Sequence, residues 1–199
     1  MVRYGEIALK GEGVRRRFEN KLIRNIEAAL DVKHEIRRER GRIFVYTSKI
    51  EEAVKKLKNV FGIVSLSPCT ITDSRVEAIS EELLKTAKTR MQPEESFALR
   101  VRRAGAHEFS SQEVARKCGE RIVKELGVNV DLVNPSYELF VEIRQDSAYI
   151  YTGVQNGFGG MPLGTQGSVV SLISGGIDSP VATFLIMKRG CKVLPVHYD

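Results

Sequence analysis

Three cysteines stand among 199 residues, without the groupings that make cysteine a useful ligand. Cys69, Cys118 and Cys191 lie far apart, no CxxC pair is present, and no paired histidines complete a metal site. Buried thiols are therefore expected, with neither a metal nor a disulfide. No run approaches the ~18 apolar residues that a membrane helix needs. The opening MVRYGEIALK also carries charge where a signal peptide is apolar. These absences predict a soluble, cytoplasmic protein with no membrane partner. Internal sequence repeats and long low-complexity tracts are missing too, which argues against a solenoid.

A chain of this length with 42% hydrophobic residues can bury more than one core, so at least two units are expected. The formal charge of +6 is unevenly placed. Residues 1–62 hold 16 Lys and Arg against 9 Asp and Glu, residues 63–167 hold 12 against 14, and residues 168–199 hold 3 against 2. A basic block beside balanced sequence suits a polyanion partner, because phosphate contacts release counterions and supply affinity without regard to sequence. Charge alone is equally compatible with a solubilising surface.

Periodicity sets out the elements. Residues 2–9 alternate as a strand and end at the breakers Lys10-Gly11-Glu12-Gly13. From Val14 to Leu30 the apolar positions Phe18, Leu22, Ile26, Ala29 and Leu30 follow a helical step, which leaves Arg15, Arg16 and Arg17 mainly on the other faces. Val32–Arg38 and Arg42–Thr47 flank a turn at Arg40-Gly41, Ile50–Leu57 reads as a short helix, and Val60–Leu66 as a last strand. The order strand, helix, strand, strand, helix, strand is ferredoxin-like. A second unit starts near Ser67-Pro68, with Ser74 as cap of a helix over 75–90 and a strand through Phe97, Leu99 and Val101. Ser110 or Ser111 opens a helix to Leu126, and Tyr137–Arg144 and Ser147–Val154 are two further strands. Residues 156–167, NGFGGMPLGTQG, contain five glycines and a proline and read as a linker.

The last stretch carries the chemistry. Val169–Ile173 is an apolar strand, SGGIDS at 174–179 a glycine-bearing turn, and Pro180 starts a helix to about Arg189. Strand, loop and helix N-terminus converge free amides and the positive end of a helix dipole on one point, which is an anion site. Ser174, Gly175, Gly176, Asp178 and Ser179 are its candidate residues, the serines as further donors and Asp178 serving either the loop itself or a Mg2+ bound to pyrophosphate. The spacing departs from GxxxxGK[ST], and no lysine stands in the loop to grip a β/γ phosphate. A different cleavage is implied, and SGGIDS resembles the pyrophosphate loop of enzymes that split ATP between the α and β phosphates. A second strand, Lys192–His197, would bring His197 and Tyr198 beside Leu172 and Ile173, where ligands sit in open α/β sheets. An ordinary glycine turn is the competing reading.

Four separated stretches resemble the tRNA 4-thiouridine synthetase (tRNA sulfurtransferase) family: RYGEIALKG at 3–11, VRRAGAHEFSSQEVARKCG at 101–119, GGMPLGTQG at 159–167 and SGGIDSPVATFLIMKRG at 174–190. The resemblance implies an N-terminal ferredoxin-like domain over 1–62, a THUMP RNA-binding domain with linker over 63–167, and the start of a doubly wound ATP pyrophosphatase domain over 168–199. It implies ATP with Mg2+, and adenylation of the uridine at tRNA position 8. A persulfide donor such as a cysteine desulfurase then supplies the sulfur of 4-thiouridine, and some members also feed thiamine biosynthesis. Residues matching the family's ATP site are Leu172, Ile173, the loop 174–179, His197 and Tyr198, while Arg102, Arg103, His107 and Ser110 match its THUMP pattern. Lys10 and Arg15 to Arg17 join the RNA-facing set on charge and position alone. The domain is expected to continue, and its sulfur-carrying cysteine to lie, beyond Asp199. A homodimer is a further expectation. Two alternatives stay open: a non-catalytic tRNA-binding module with a silent ATP loop, and an adenylating ligase acting on a small molecule.

Overall fold

The computed structural model describes residues 1–92 and 94–198; Asp199, the expected end of the third domain, lies outside them. The chain packs as two compact units, one made of residues 1–66 with 154–199 and the other of residues 67–153.

The first unit opens with β1 (Val2–Arg3), a 3-10 turn (Glu6–Leu9) and α1 (Glu12–Ala29). Strands β2 (Glu35–Glu39) and β3 (Arg42–Tyr46), helix α2 (Ile50–Leu57) and β4 (Ser65–Leu66) follow. The strands lie antiparallel in the order β4-β1-β3-β2, the ferredoxin-like arrangement. Helix α1 turns Phe18, Leu22 and Ile26 into the core with Val2, Ile43, Ile63 and Leu66. Each such fully buried aliphatic side chain stabilises by about 1.5–3 kcal/mol.

Two strands are shorter than their alternation predicts. Gly5 bends the chain after Tyr4, so the strand expected over 2–9 ends at Arg3 and Ile7 reaches the core from the 3-10 turn. Gly62 has φ +101°, a left-handed conformation that glycine tolerates, so Val60, Phe61 and Ile63 are buried as a turn and pairing begins at Ser65.

The second unit contains β5 (Thr70–Asp73), α3 (Val76–Arg90), β6 (Ser96–Arg103) and α4 (Ser111–Leu126). It closes with β7 (Asn129–Val130), β8 (Tyr137–Ile143) and β9 (Ser147–Tyr151). The sheet order is β5-β9-β8-β6-β7, with β6 parallel to β8 and β7 and the other pairs antiparallel. Ile79, Leu83 and Ala87 of α3 and Val114, Cys118 and Ile122 of α4 pack over Phe97, Leu139, Val141 and Ile150. Burial pushes the Cys118 thiol above its ordinary value, as expected of an inert core cysteine. Cys69 and Cys191 are only half-buried, unlike the buried thiols expected of all three, and none of the three is in a disulfide among the described residues.

Ser74 does not cap α3. The cap position is Arg75, whose amide donates to Asp73 Oδ1 at 2.8 Å, while Ser74 Oγ donates to the Gln145 carbonyl at 3.2 Å. Thr70–Asp73 also forms a strand that residue pattern did not suggest, because only its partner β9 supplies the pairing.

The glycine-rich stretch at 156–167 is a packed strap of the first unit. By contacts within the chain this strap, expected as the linker of the second domain, goes with the first unit from residue 154 onward. Strand β10 (Gln155–Asn156) pairs antiparallel with β4 at the edge of the first sheet. The chain then runs past buried Met161 into β11 (Ser168–Leu172), α5 (Asp178–Lys188) and β12 (Lys192–Val196). Among the described residues no helix is long and apolar enough to cross a membrane.

Candidate functional site

Strands β11 and β12 are parallel and in register from Ser168↔Lys192 to Leu172↔Val196, with α5 connecting them. Helix α5 starts at Asp178, two residues before Pro180. Proline fits there because the first four helical amides have no intrahelical acceptor in any case. Between strand and helix, residues 173–177 form an exposed loop. The amides of Gly175, Gly176 and Ile177 meet no acceptor among the described residues.

The two serines shape this loop. Ser174 donates its amide to Ser179 Oγ at 2.9 Å, and the two hydroxyl oxygens are 3.0 Å apart. Ser179 Oγ also donates to the Ser174 carbonyl at 3.5 Å, so the Ser174 hydroxyl is the donor between the two and the pair is satisfied within the loop. Thr183 Oγ1 donates to the Ser179 carbonyl at 2.7 Å, so Ser171 Oγ, 2.6 Å away, is the donor to Thr183. Strand β11 and the first turn of α5 are thereby tied together behind the loop. Neither Gly175 nor Gly176 has a positive φ; a Cβ on Gly175 would touch nothing within 4 Å, and one on Gly176 only Ser174 Oγ at 3.8 Å. Asp178 is exposed at the start of the helix.

The strand ends meet as their register requires. The Ile173 amide donates to the Val196 carbonyl at 2.7 Å, and His197 Nδ1 lies 2.7 Å from the Ile173 carbonyl. A carbonyl only accepts, so Nδ1 carries the proton. Leu172 is 62% exposed and Tyr198 77%, which leaves apolar and aromatic surface at the rim. The Ile173 amide is thus already engaged and not available to a nucleobase edge.

The basic residues fall in two places. In the first unit Lys10, Arg16 and Arg17 are exposed, and Arg17 lies over the Phe18 ring. Arg15 reaches Glu19, 3.9 Å away. In the second unit the neighbours Arg102 and Arg103 part company, as adjacent strand positions do. Arg102 lines a cleft of about 480 Å3 with Arg100, Ser111, Gln112 and Phe140. Arg103 donates from Nη1 to the His107 carbonyl at 3.2 Å and so shapes the loop after β6. The His107 ring stacks on Phe109, with centroids 5.2 Å apart, and its Nε2 is buried without a hydrogen-bond partner among the described residues.

Ser110 is the N-cap of α4 in a reciprocal capping box: its Oγ accepts from the Glu113 amide at 3.1 Å and its amide donates to Glu113 Oε2 at 2.7 Å. The Ser110 amide beside it holds the Glu113 carboxyl below its ordinary value. Sequence reading missed Arg100 in the cleft and Arg38 beside Glu19, since neither stands in a motif. Among the described residues no three His, Cys, Asp or Glu side chains gather as a metal site.

A ferredoxin-like domain, a second mixed sheet with a basic cleft, and a strand-loop-helix unit with free loop amides define a multidomain mixed α/β protein. Comparison with known proteins narrows this. Residues 1–67 match the ThiI ferredoxin-like domain, residues 73–152 the THUMP domain, and residues 164–199 the thiamine biosynthesis protein (ThiI) family. A probable tRNA sulfurtransferase of Methanothermobacter thermautotrophicus is 48% identical over 210 residues, covering 100% of this chain and 52% of the relative. A crystal structure of a Pyrococcus horikoshii protein superposes with a TM-score of 0.89 at 39% identity, covering 98% of this chain and 66% of that one. A 4-thiouridine synthetase solved with RNA and bound ATP gives 0.83 at 32% identity, covering 100% and 52%. The chain belongs to the tRNA sulfurtransferase, or 4-thiouridine synthetase, family, and spans about half the length of the curated relatives it matches.

Proposed function

We infer that this chain carries the RNA-binding and ATP-loop portions of an ATP-dependent tRNA sulfurtransferase that forms 4-thiouridine at tRNA position 8. The observation that carries the reading is the loop at 173–179. Its glycines answer no demand of the fold, and three of its amides have no acceptor among the described residues. A pyrophosphate-sized anion supplies both the acceptors and the need for a bare backbone.

In this reading Ser174, Gly175, Gly176 and Ser179 hold the phosphates of ATP, while Leu172, Ile173, His197 and Tyr198 border the nucleoside. Asp178 would offer its carboxylate to a Mg2+, which would neutralise phosphate charge at the loop. Uridine O4 attacks the α phosphate and pyrophosphate leaves. The terminal sulfur of a persulfide then displaces AMP, and a thiol cleaves the resulting mixed disulfide to release 4-thiouridine.

Lys10 and Arg15 to Arg17 contact tRNA from the first unit and Arg102 from the cleft of the second. Arg103, His107 and Ser110 shape the loop beside that cleft. The reading brings with it a cysteine desulfurase or similar persulfide donor, a homodimer, a link to thiamine biosynthesis and a cytoplasmic setting. The test is ATP-to-AMP turnover and 4-thiouridine formation by the full protein, with tRNA or with small acceptors. Stimulation by tRNA alone, with thiolation, is expected. Binding of tRNA without any turnover sinks the enzyme reading in favour of a silent loop, and turnover with small acceptors alone sinks the tRNA substrate.

A further inference from the structure

A buried ion cluster lies between α1 and the β2–β3 hairpin, outside the anion loop and the cleft described above. Glu19 sits in the middle of α1 with its side chain 8% exposed. A carboxylate buried to that degree is costly unless it is paired. Tyr4 OH donates to Glu19 Oε1 at 2.5 Å. Burial, together with this carboxylate, raises the Tyr4 phenol above its ordinary value, so it remains the donor.

Two arginines complete the balance of charge in an unusual manner. Arg15 Nε is 3.9 Å from Glu19 Oε1, and Arg38 Nη1 is 3.7 Å from Glu19 Oε2. Both distances allow attraction, yet both exceed hydrogen-bond length. Arg38 donates one hydrogen bond, to Asn20 Oδ1 at 2.8 Å. A single arginine in a bidentate fork would neutralise one carboxylate with two hydrogen bonds. Here two guanidiniums share one carboxylate, most of their donors are unspent, and their side chains are 26% and 32% exposed. The cluster therefore carries excess positive charge at its outer side and is fixed from behind by a buried acid.

We propose that Arg15 and Arg38 form a seat for one backbone phosphate of RNA, and that Glu19, held by Tyr4, is its positioning residue. The seat rests on the tRNA-binding reading above and adds to it Arg38, Glu19 and Tyr4. Guanidinium suits the role because its fixed fork matches phosphate oxygens and its charge persists at every physiological pH. The phosphate belongs to a polynucleotide and not to ATP, because the seat lies on α1 and β2, elements other than those that build the loop at 173–179.

The test compares tRNA affinity, its salt dependence and ATP affinity in the full protein and in five variants, each with a melting curve. Arg15→Ala and Arg38→Ala each weaken tRNA binding, and the double variant lowers the slope of log affinity against log salt by about one, a loss of roughly fivefold at physiological salt. ATP affinity is unchanged. Glu19→Gln is the decisive variant: simple charge arithmetic says that removing an acid tightens RNA binding, whereas loss of a positioning group weakens it. Tyr4→Phe, which alters no charge, is expected to weaken it in the same direction by less. Equal or tighter tRNA binding by a folded Glu19→Gln overturns the positioning role, and an unchanged salt slope in the double variant overturns the seat. A fall in ATP affinity instead would assign the phosphate to the nucleotide and also overturn it. Absence of tRNA binding by the unaltered protein would remove the RNA reading itself, a result distinct from these.

Discussion

Two glycine-bearing stretches of the first unit look alike in sequence and differ in what requires them. In the strap, Gly160 has φ +73° and an added Cβ would lie 2.2 Å from the Lys188 carbonyl oxygen; Gly190, which the strap packs against, has φ +95° with Thr165 Oγ1 2.6 Å from such a Cβ. The strap is also tied by its backbone, with the Met161 amide on the Lys188 carbonyl at 2.9 Å and the Gly164 amide on the Gly190 carbonyl at 2.7 Å. Asn25 of α1 donates to the Leu163 carbonyl at 3.1 Å. The protein's own atoms explain these glycines. In the loop at 173–177, by contrast, Gly175 and Gly176 have ordinary φ and open space. On the proposed reading, the nucleotide supplies their reason.

The sharpest way to break this contrast is Gly160→Ala. Strained φ and a backbone clash add, and a loss of about 3 kcal/mol or more is expected in urea unfolding. A variant that melts like the parent would show that the strap yields easily and is a linker after all. Gly176→Val should do the opposite: unfolding within about 0.5 kcal/mol of the parent, since nothing in the fold opposes the side chain, but with ATP binding abolished in the full protein. Normal ATP affinity in that folded variant would detach the loop from the nucleotide.

Ser110 extends the same division to a side chain. Ser110→Ala removes one half of a capping box and should cost about 1 kcal/mol in thermal unfolding, with the tRNA salt slope unchanged. A lowered slope at full stability would instead make Ser110 a direct RNA contact. The smallest effect concerns pH. The Glu113 carboxyl lies below its ordinary value of 4.5 when folded, so its contribution is complete above that value and is lost as pH falls through the lower folded one. Glu113→Gln should therefore flatten a small part of the acid-side fall in melting temperature below about pH 4.5 and change little of the pH dependence above it. An acid limb identical to the parent's would show that the exposed carboxylate adds nothing measurable.

Local pattern made a large part of this protein legible. The helical step of Phe18, Leu22 and Ile26, a serine opening the helix at 110 or 111 and the strand-loop-helix around SGGIDS are all written within a few residues, and of the two serines it is Ser110 that caps, in a box with Glu113. Ser74 shows the limit: it has the chemistry of a cap, but Asp73 takes the nearer amide and Ser74 turns to Gln145, 71 positions away.

By itself the sequence determined the order of the longer elements, the apolar faces of α1, α3 and α4 and the strand-loop-helix around SGGIDS, because periodicity, capping and turn chemistry act between neighbours. Only the tertiary structure decided where the glycine-rich strap goes, that β10 joins the edge of the first sheet, and that Glu19 is buried with Tyr4, Arg15 and Arg38 around it. A two-residue strand has too little pattern to announce its partner, and a glutamate on a helix looks like any solvated charge. Burial and pairing across many residues settle both, and those arise only when the elements pack.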